Sequence, residues 1–453
     1  IEDAINSYGH ALSSLETIKE TLGIDYCLIN EHIGDVYLTC GQHRESCDVF
    51  QKALSIWINS DTKSRKPRFV SWRINARTQE SLLCRKIAMT YQEISQYDES
   101  LEWLNKAINK MPKRPGRIAS QIYASISGSY YRKGQLQEAI EWGKKALKIA
   151  KRLKNSKETA FAHKTLANAY MWAGKFDQAI KQLTQATQCY EELEDIIGIS
   201  TTYKNIGVCF HLLGKLDEAG TNYAKALEVC RMLHNEVMMA VLNNNLGEIY
   251  LVNGQLEKAI IHFELTVTAY DKGKCEKSIS GLALVNLCRC YRAINNLTSA
   301  EQYLKRGQIL LKEVGSDTLI AESEIDLIEL NLDKREFNNA FKLGQESLEK
   351  IKKLNVPPLL VRAERVVGNT FVAINDIENA KLHLQESISL AKKLNAEHEE
   401  AKSIIAYTVA CIQSNTQNKK LNKLLKDTIT ILENIGAEFD LAQAKDLQSK
   451  LEL

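Results

Sequence analysis

Three regularly spaced asparagines are the residues whose type and spacing best suit the binding of another molecule. Asn205, Asn245 and Asn286 follow one another along the chain at nearly equal intervals. A side-chain amide both accepts and donates hydrogen bonds, so it can pair with a peptide backbone of any sequence. Asparagine is a poor former of helix interiors, yet Asn245 stands in a stretch that is otherwise typical of a helix. We expect its neighbours Asn243 and Asn244 to face solvent, and the three regularly spaced amides to bind.

The asparagines are spaced by a period of about 40 residues that runs through most of the chain. This period is within the range of known repeat architectures. An alanine marks the period, usually with an aromatic residue nine positions earlier and a glycine or asparagine five positions earlier. Such repetition is the signature of an array of stacked units. The alanines are Ala139, Ala179, Ala219, Ala259, Ala300, Ala340 and Ala380. The aromatic residues are Tyr130, Tyr170, Phe210, Tyr250, Tyr291 and Phe371, and the turn residues are Gly134, Gly174, Gly214, Gly254, Asn295 and Asn375.

Each period is predicted to contain two helices joined by a tight turn. In the segment that begins at Leu242, apolar residues recur at helical spacing up to Tyr250, and a second stripe runs from Leu256 to Phe263. Gly254, between the stripes, suits the left-handed conformation that ends a helix. One hairpin cannot bury both stripes, so stacked neighbours must complete the core.

The segments YKNIGVCFHLLGKLDEAGTNYAKAL and NNLGEIYLVNGQLEKAIIHF resemble tetratricopeptide repeats, with their small residue, aromatic residue, turn glycine and pair of alanines. The usual unit of that family has about 34 residues, so the period here implies longer helices. The resemblance covers nearly the whole chain. It implies an all-α, right-handed superhelical solenoid of about ten stacked helical hairpins with a C-terminal capping helix.

The repeat pattern predicts a single solenoid over residues 1–453, with one insertion. We expect N-terminal repeats at 1–58, of which the first is truncated to a helix at 3–22. The remaining parts are a basic insertion at 59–78, central repeats at 79–355, a hinge at 356–358, and C-terminal repeats with a cap at 359–453. The last hairpin is predicted at 397–412 and 421–434, and a solvated capping helix at 437–451.

The resemblance also implies a binding site, because in this family one face of the first helices lines a concave groove. Groove asparagines there bind the backbone of an extended peptide. The residues predicted to form this peptide-binding groove are Lys164, Asn168, Trp172, Lys204, Asn205, Asn245, Glu248, Asn286 and Arg289.

Part of this set resembles the carboxylate clamp of the chaperone-binding members of the family. Lys164, Asn168 and Asn205 occupy three of the five clamp positions. The other two positions, which are basic in those members, are Val241 and Asn245 in this chain. This difference argues against recognition of a chaperone tail.

Positive charge is concentrated in the first third of the chain. The net charge of the whole chain is +3, whereas residues 59–158 carry 22 Lys and Arg against 9 Asp and Glu. Such a segment can be a solvated outer surface, or it can dock an acidic protein surface or nucleic acid. Nucleic acid is the less favoured partner because the basic stretches lack interleaved aromatic residues. The basic patch is predicted to comprise Lys113, Arg114, Arg117, Lys144, Lys145, Lys148, Lys151 and Arg152.

The sequence contains no catalytic or metal-binding motif. It has no phosphate-binding loop after a strand, no paired metalloprotease histidines and no nucleophile elbow. The 11 cysteines are scattered, and Cys288 and Cys290 project in different directions from one helix. We therefore predict a protein that is not an enzyme, binds no metal or cofactor, keeps reduced thiols in the cytoplasm and does not enter a membrane.

These features predict an interaction scaffold or sensor array that binds a protein or peptide in its groove. The regular period and the ending LENIGAEFDLAQAKDLQSKLEL are similar to C-terminal arrays of bacterial multidomain regulators. In those proteins the array follows a cyclase or ATPase module, which implies the regulatory part of a larger signalling protein. A start at Ile1 rather than at methionine fits this interpretation. A eukaryotic-type scaffold and a nucleic-acid-binding array are the alternatives.

Overall fold

The structure, a computed structural model, describes residues 23–39, 42–59, 76–112, 116–416 and 419–452. These residues form 21 α-helices and no strand. In chain order the helices are α1 (Gly23–Thr39), α2 (His43–Asn59), α3 (Ala76–Glu93), α4 (Tyr97–Lys110), α5 (Arg117–Arg132), α6 (Leu136–Arg152), α7 (Ser156–Trp172), α8 (Phe176–Glu192), α9 (Ile196–Leu212), α10 (Leu216–Met232), α11 (Glu236–Val252), α12 (Leu256–Asp271), α13 (Lys277–Ala293), α14 (Leu297–Val314), α15 (Asp317–Asp333), α16 (Phe337–Leu354), α17 (Pro357–Ala373), α18 (Ile377–Lys393), α19 (Glu397–Gln413), α20 (Lys419–Ile435) and α21 (Glu438–Glu452).

The helices follow the predicted repeat. The odd-numbered helices α1 to α19 are the first helices of successive hairpins, the even-numbered helices α2 to α20 are the second helices, and α21 follows as a cap. The predicted all-α array of about ten hairpins is confirmed. The predicted helix at 3–22 and most of the insertion at 59–78 lie outside the described residues. At the predicted hinge, Pro357 and Pro358 are the first two residues of α17, where proline is well tolerated.

All six predicted turn residues, four glycines and two asparagines, have the left-handed conformation. Gly134 has a φ of +85° and Gly254 a φ of +69°, and asparagine takes the same conformation at Asn295 (+59°) and Asn375 (+63°). Glycine adopts this region without steric cost, and asparagine tolerates it better than most residues. The turn residue therefore fixes where the first helix ends and the second begins.

The recurring alanines lie where the helices cross. All seven, from Ala139 to Ala380, are fully buried. Small residues on the first helices meet large ones on the second helices: a Cβ placed on Gly247 would lie 2.6 Å from the Phe263 ring. The helices are therefore closer together than larger residues would allow, which explains why the small residues recur.

We expect the Ala179→Leu substitution to lower the free energy of unfolding by roughly 1–3 kcal/mol, because Ala179 is fully buried and overpacking displaces its neighbours. Urea denaturation followed by circular dichroism measures the loss. The matched control is Gln178→Leu, since Gln178 is the exposed neighbour on the same helix and should change stability by less than about 0.5 kcal/mol. Equal curves for the two variants would contradict the packing role of Ala179.

The chain divides into two compact units, Ile1–Thr202 and Tyr203–Leu453, and the boundary falls within α9. In the second unit the C-terminal helices return to its beginning. Helix α21 packs against α11 as well as against α19 and α20. One apolar cluster includes Leu216 of α10, Leu242 of α11, Leu425 of α20 and Leu441 of α21. The second unit is therefore closed on itself. Among the described helices, none combines the length and hydropathy of a transmembrane span.

Candidate functional site

Closure of the second unit leaves a cavity of about 1030 Å³ on its inner side. Its walls come from the first helices α9, α11, α13, α15, α17 and α19, from the start of α12, and from α21. Because the period of the repeat is constant, equivalent residues of successive first helices face the same space. Glu248, Arg289, Glu329 and Asn369, which occupy the same position in four successive repeats, all line it.

Ion pairs between neighbouring first helices form most of the polar wall. Arg289 of α13 binds Asp326 of α15 with two short contacts, Nε to Oδ1 at 2.6 Å and Nη2 to Oδ2 at 2.7 Å. Arg362 of α17 approaches the same acidic helix, with Nη1 at 2.7 Å from Glu322. Because both arginines pair with carboxylates of α15, the ion pairs link three successive repeats.

The same arrangement continues along the cavity. Arg292 binds Glu329 and Asp333, at 2.6 Å each. Arg365 pairs with Glu399. Although burial alone would raise the pKa of Glu329, the charge of Arg292, together with those of three further cations near the cavity, lowers it to about 2. Burial likewise opposes the charge of Glu399, but Arg365 holds the pKa of that carboxyl well below its ordinary value. Glu329 and Glu399 are therefore ionised at physiological pH and are neutralised by arginines of neighbouring repeats.

Glu248 on α11 is the exception among the carboxylates that line the cavity. Its Oε1 accepts hydrogen bonds from the amides of Asn244 (3.0 Å) and Asn286 (3.2 Å). Across the described ranges, no lysine, arginine or histidine forms an ion pair with it, whereas Glu329, Asp333, Glu399 and Asp440 each have such a partner. Burial raises the pKa of Glu248, and the charge of Arg289 offsets this effect only in part. The cavity wall thus holds one carboxylate that the protein itself does not pair.

The structure brings three of the predicted groove residues together. Asn286 donates to Glu248 and accepts from Arg289 Nη1 at 2.8 Å, and all three line the cavity. Asn205 and Asn245 are half-buried and do not line it. The peptide-binding role of the asparagine series stays a prediction, with Asn286 already engaged in the charged network.

The other predicted groove residues lie elsewhere. Lys204 is on α9 in the second unit, and burial lowers its pKa. Lys164, Asn168 and Trp172 are on α7 in the first unit. Trp172 is 62% exposed and stacks on Tyr131 with ring centroids 6.0 Å apart. These four residues do not line the cavity of the second unit.

The expectation that Asn243 and Asn244 face solvent was wrong, because each is only 6% exposed. Asn243 Oδ1 lies 3.0 Å from Nδ1 of His262 on the second helix of the same hairpin. Asn244 donates to Glu248. A first helix in the array packs against neighbours on more than one side, so polar residues beside the apolar stripe are also buried. Two of the three consecutive asparagines, Asn243 and Asn244, are thus explained by internal hydrogen bonds.

The described members of the predicted basic patch come from two helices of one hairpin, α5 and α6. Its helical members, Lys144, Lys145, Lys148, Lys151 and Arg152, are exposed on α6. Arg117 instead begins α5 and lines a small cavity of the first unit, and Lys113 and Arg114 lie outside the described residues. Docking of an acidic surface or nucleic acid by this segment stays a prediction.

Sequence reasoning did not identify several charged residues that dominate the cavity wall, among them Arg292, Arg362, Arg365 and Lys402. A signal was present, because the same position of three successive repeats carries a charged residue, namely Glu322, Arg362 and Lys402. Extending the helical alignment beyond Asn286 would have placed them on the same face. Within the described ranges, no group of three or more His, Cys, Asp or Glu side chains is arranged to hold a metal ion.

Comparison with sequence families agrees with the repeat architecture. Models of the tetratricopeptide repeat match residues 29–56, 78–152, 119–192 and 198–272. The chain is a tetratricopeptide-repeat protein. No curated protein sequence matches it.

Solved structures show the same fold at low sequence identity. The apo form of RapI is 14% identical with a TM-score of 0.63, over 82% of this chain and 98% of RapI. A Rap protein complexed with competence and sporulation factor is 14% identical with a TM-score of 0.58, over 82% of this chain and 99% of that one. The apo quorum sensor NprR from B. thuringiensis is 15% identical with a TM-score of 0.54, over 79% and 97% of the two chains. At these identities the likeness concerns the fold of this tetratricopeptide-repeat protein.

Proposed function

We propose that the second unit binds a short peptide in its inner cavity, and that the protein acts as a sensor or interaction scaffold. The observation that carries the proposal is the cavity itself, with Glu248 as its one carboxylate lacking a cationic partner among the described residues. A volume of about 1030 Å³ stands at the upper end of the ~300–1,000 Å³ of small-molecule pockets. It is large enough for several amino-acid residues.

The charge of the wall favours a ligand with a positive group. A cation placed at Glu248 would pair with a carboxylate that two amides already orient, and charge-assisted hydrogen bonds are among the stronger polar contacts. Asn369 also lines the cavity, and its amide makes no side-chain hydrogen bond to the residues the structure describes. It can pair with a peptide backbone. The ligand class is therefore a short peptide with a lysine, an arginine or a free amino terminus.

The fold comparisons support a signalling context for this proposal. One structure of the same fold is a Rap protein in complex with a competence and sporulation factor, and another is a quorum sensor. We propose that the array works in the cytoplasm as the regulatory part of a larger signalling protein. The sequence of the complete gene tests this part, since it would show whether a cyclase or ATPase module precedes the array.

A cavity-filling substitution tests the binding site without disturbing its charges. The chain is incubated with a library of randomised hexapeptides, and bound peptides are recovered with the protein by gel filtration and identified by mass spectrometry. Ala293 lines the cavity and is only half-buried, so Trp introduced by Ala293→Trp can extend into the open space. We expect Ala293→Trp to lose the enriched peptides while it unfolds at the wild-type temperature.

The matched control is Gln178→Leu, which lies in the first unit on an exposed surface and should retain the same peptides. If the wild-type chain enriches no peptide, or if Ala293→Trp enriches the same ones, the cavity is not the binding site.

A further inference from the structure

The first unit contains a second, smaller cavity, of about 230 Å³. It lies between the first helices α3, α5 and α7, and its wall is completed by Tyr190 of α8 and by Asp195, which precedes α9. Its volume is below the ~300–1,000 Å³ of drug-sized pockets. It can therefore take one functional group or a small ion, but no peptide.

One ion pair in this cavity is satisfied within the protein. Glu158 is 3% exposed and accepts hydrogen bonds on Oε1 from Arg117 Nε at 2.5 Å and from Gln121 Nε2 at 2.9 Å. The second carboxylate, Asp195, accepts from the backbone N–H of Gly198 at 2.9 Å and caps α9. Both carboxylates thus have structural roles, and one arginine is neutralised.

Arg85 on α3 has no such partner. Its only side-chain hydrogen bond among the described residues runs from Nε to the neutral hydroxyl of Ser125, at 2.9 Å. Across the described ranges, no carboxylate forms an ion pair with its guanidinium, so both terminal nitrogens keep unused N–H donors. Burial lowers the pKa of Arg85 to about 10. The charges of Glu158 and Asp35 offset this effect only in part. Arg85 is half-buried, and a charge removed from water without a directly bonded counterion is costly.

Lys157 adds a second cation to the same cavity. Its side chain is exposed and forms no ion pair or hydrogen bond with the described residues. The two cations without a paired anion therefore flank one small space. An arginine presents its donors in a planar fork that matches the geometry of a carboxylate or a phosphate.

We propose that this cavity binds a single oxyanion group, a carboxylate or a phosphate, between the guanidinium of Arg85 and the ammonium of Lys157. The group would supply the counterion that Arg85 lacks. It comes either from an acidic side chain of a partner protein or from a phosphorylated or free phosphate ligand. The excess positive charge of residues 59–158 would attract either source over distance. This site lies in the first unit and does not depend on the peptide cavity of the second.

Thermal unfolding and calorimetry of the full chain test the site with two simple probes. Inorganic phosphate and N-acetyl-aspartate amide are added separately at constant ionic strength, with sodium chloride as the reference salt. A ligand that binds the folded state raises the unfolding temperature, so we expect at least one probe to do so. Tighter phosphate binding identifies a phosphate ligand, and tighter binding of the aspartate derivative identifies an acidic partner residue.

Two variants assign the effect to this cavity. Arg85→Met should weaken binding of the effective probe at least tenfold, and without the probe it should unfold at the wild-type temperature or higher, because it removes an unpaired charge. Lys157→Met, at an exposed position that folding does not need, should weaken binding less. The matched control Arg132→Met removes an arginine of the same unit that lies 3.9 Å from Glu93 and should bind as the wild type does.

Two results would overturn the proposal. One is the absence of any shift with either probe beyond that of sodium chloride. The other is an equal loss in the Arg85 and Arg132 variants, which would show that the anions only screen the surface. Neither result involves peptide binding, so neither would affect the function proposed for the second unit.

Discussion

Replacing Asp326 by alanine should lower the free energy of unfolding of the second unit by about 3–5 kcal/mol, the usual cost of removing one partner from a buried ion pair. Asp326 is fully buried and receives two hydrogen bonds from Arg289 and a third contact, at 3.4 Å, from Arg362. Without it, Glu322 is the one carboxylate of α15, among the described residues, that still forms an ion pair with either guanidinium group. At least one of the two guanidinium groups would then be only partly neutralised, and burial would make its charge unfavourable.

Urea denaturation of the wild type and of Asp326→Ala measures this loss. The matched control is Glu313→Ala, which breaks an ion pair with Lys277 whose two side chains are about half exposed. Exposed pairs contribute about 0–1 kcal/mol, so the control should stay close to the wild type. A loss below about 1 kcal/mol for Asp326→Ala, no larger than that of an exposed pair, would mean that Glu322 alone neutralises both arginines.

The large difference in stability predicted between Asp326→Ala and Glu313→Ala follows from the positions of the two ion pairs. Arg289, Asp326 and Arg362 belong to α13, α15 and α17, so the network joins three consecutive repeats. In a solenoid, stability is the sum of the repeats and of the interfaces between neighbours. Loss of one shared carboxylate therefore weakens two interfaces together, whereas loss of Glu313 affects a surface contact.

The repeat architecture could be predicted from the sequence because its determinants are local. Gly134 and Asn295 mark turns by their conformational freedom, and Ala179 and its equivalents mark helix crossings by their size. Both constraints act within one hairpin and recur in each repeat. A single sequence therefore shows each of them several times.

The cavity could not be predicted in the same way. It exists because α21 returns to pack against α11, and that contact joins two segments that lie far apart in the chain. The angle between successive hairpins decides whether they meet, and it results from small differences in side-chain packing at every interface. The period of the sequence is the same whether the array closes or stays open.

The burial of the asparagines could not be predicted for the same reason, because it depends on contacts with other helices. A helical wheel places Asn243 and Asn244 beside the apolar stripe, and this position looks solvated when only one neighbour is considered. In the array, α11 contacts α10, α12 and α13, so both residues are buried and bonded to His262 and Glu248. Polar residues beside the stripe are thus candidates for internal networks as well as for ligand binding.

Neutralising Glu248 by the substitution Glu248→Gln should weaken the binding of cationic peptides by at least about 30-fold. Loss of one partner from a buried charge pair costs about 2 kcal/mol or more, and about 1.4 kcal/mol corresponds to a factor of ten. Glutamine keeps the shape of the side chain and an oxygen that accepts from the Asn244 and Asn286 amides. Because no internal cation forms an ion pair with Glu248 among the described residues, the variant should fold with wild-type stability.

Calorimetric titration with a lysine- or arginine-containing hexapeptide selected by the wild-type chain measures this effect. The matched control is Glu378→Gln, which neutralises a carboxylate that is 88% exposed on α18 and should bind as the wild type does.

Titration at several pH values adds an independent readout of the role of Glu248. Since burial raises the pKa of Glu248, affinity should begin to fall on acidification at a pH above the ordinary range of a glutamate, because only the ionised carboxyl attracts the cation. Glu248→Gln should lack this pH dependence. If it binds the same peptides as tightly as the wild type and with the same pH profile, Glu248 is not the anchor, even where Ala293→Trp shows that the peptide enters the cavity.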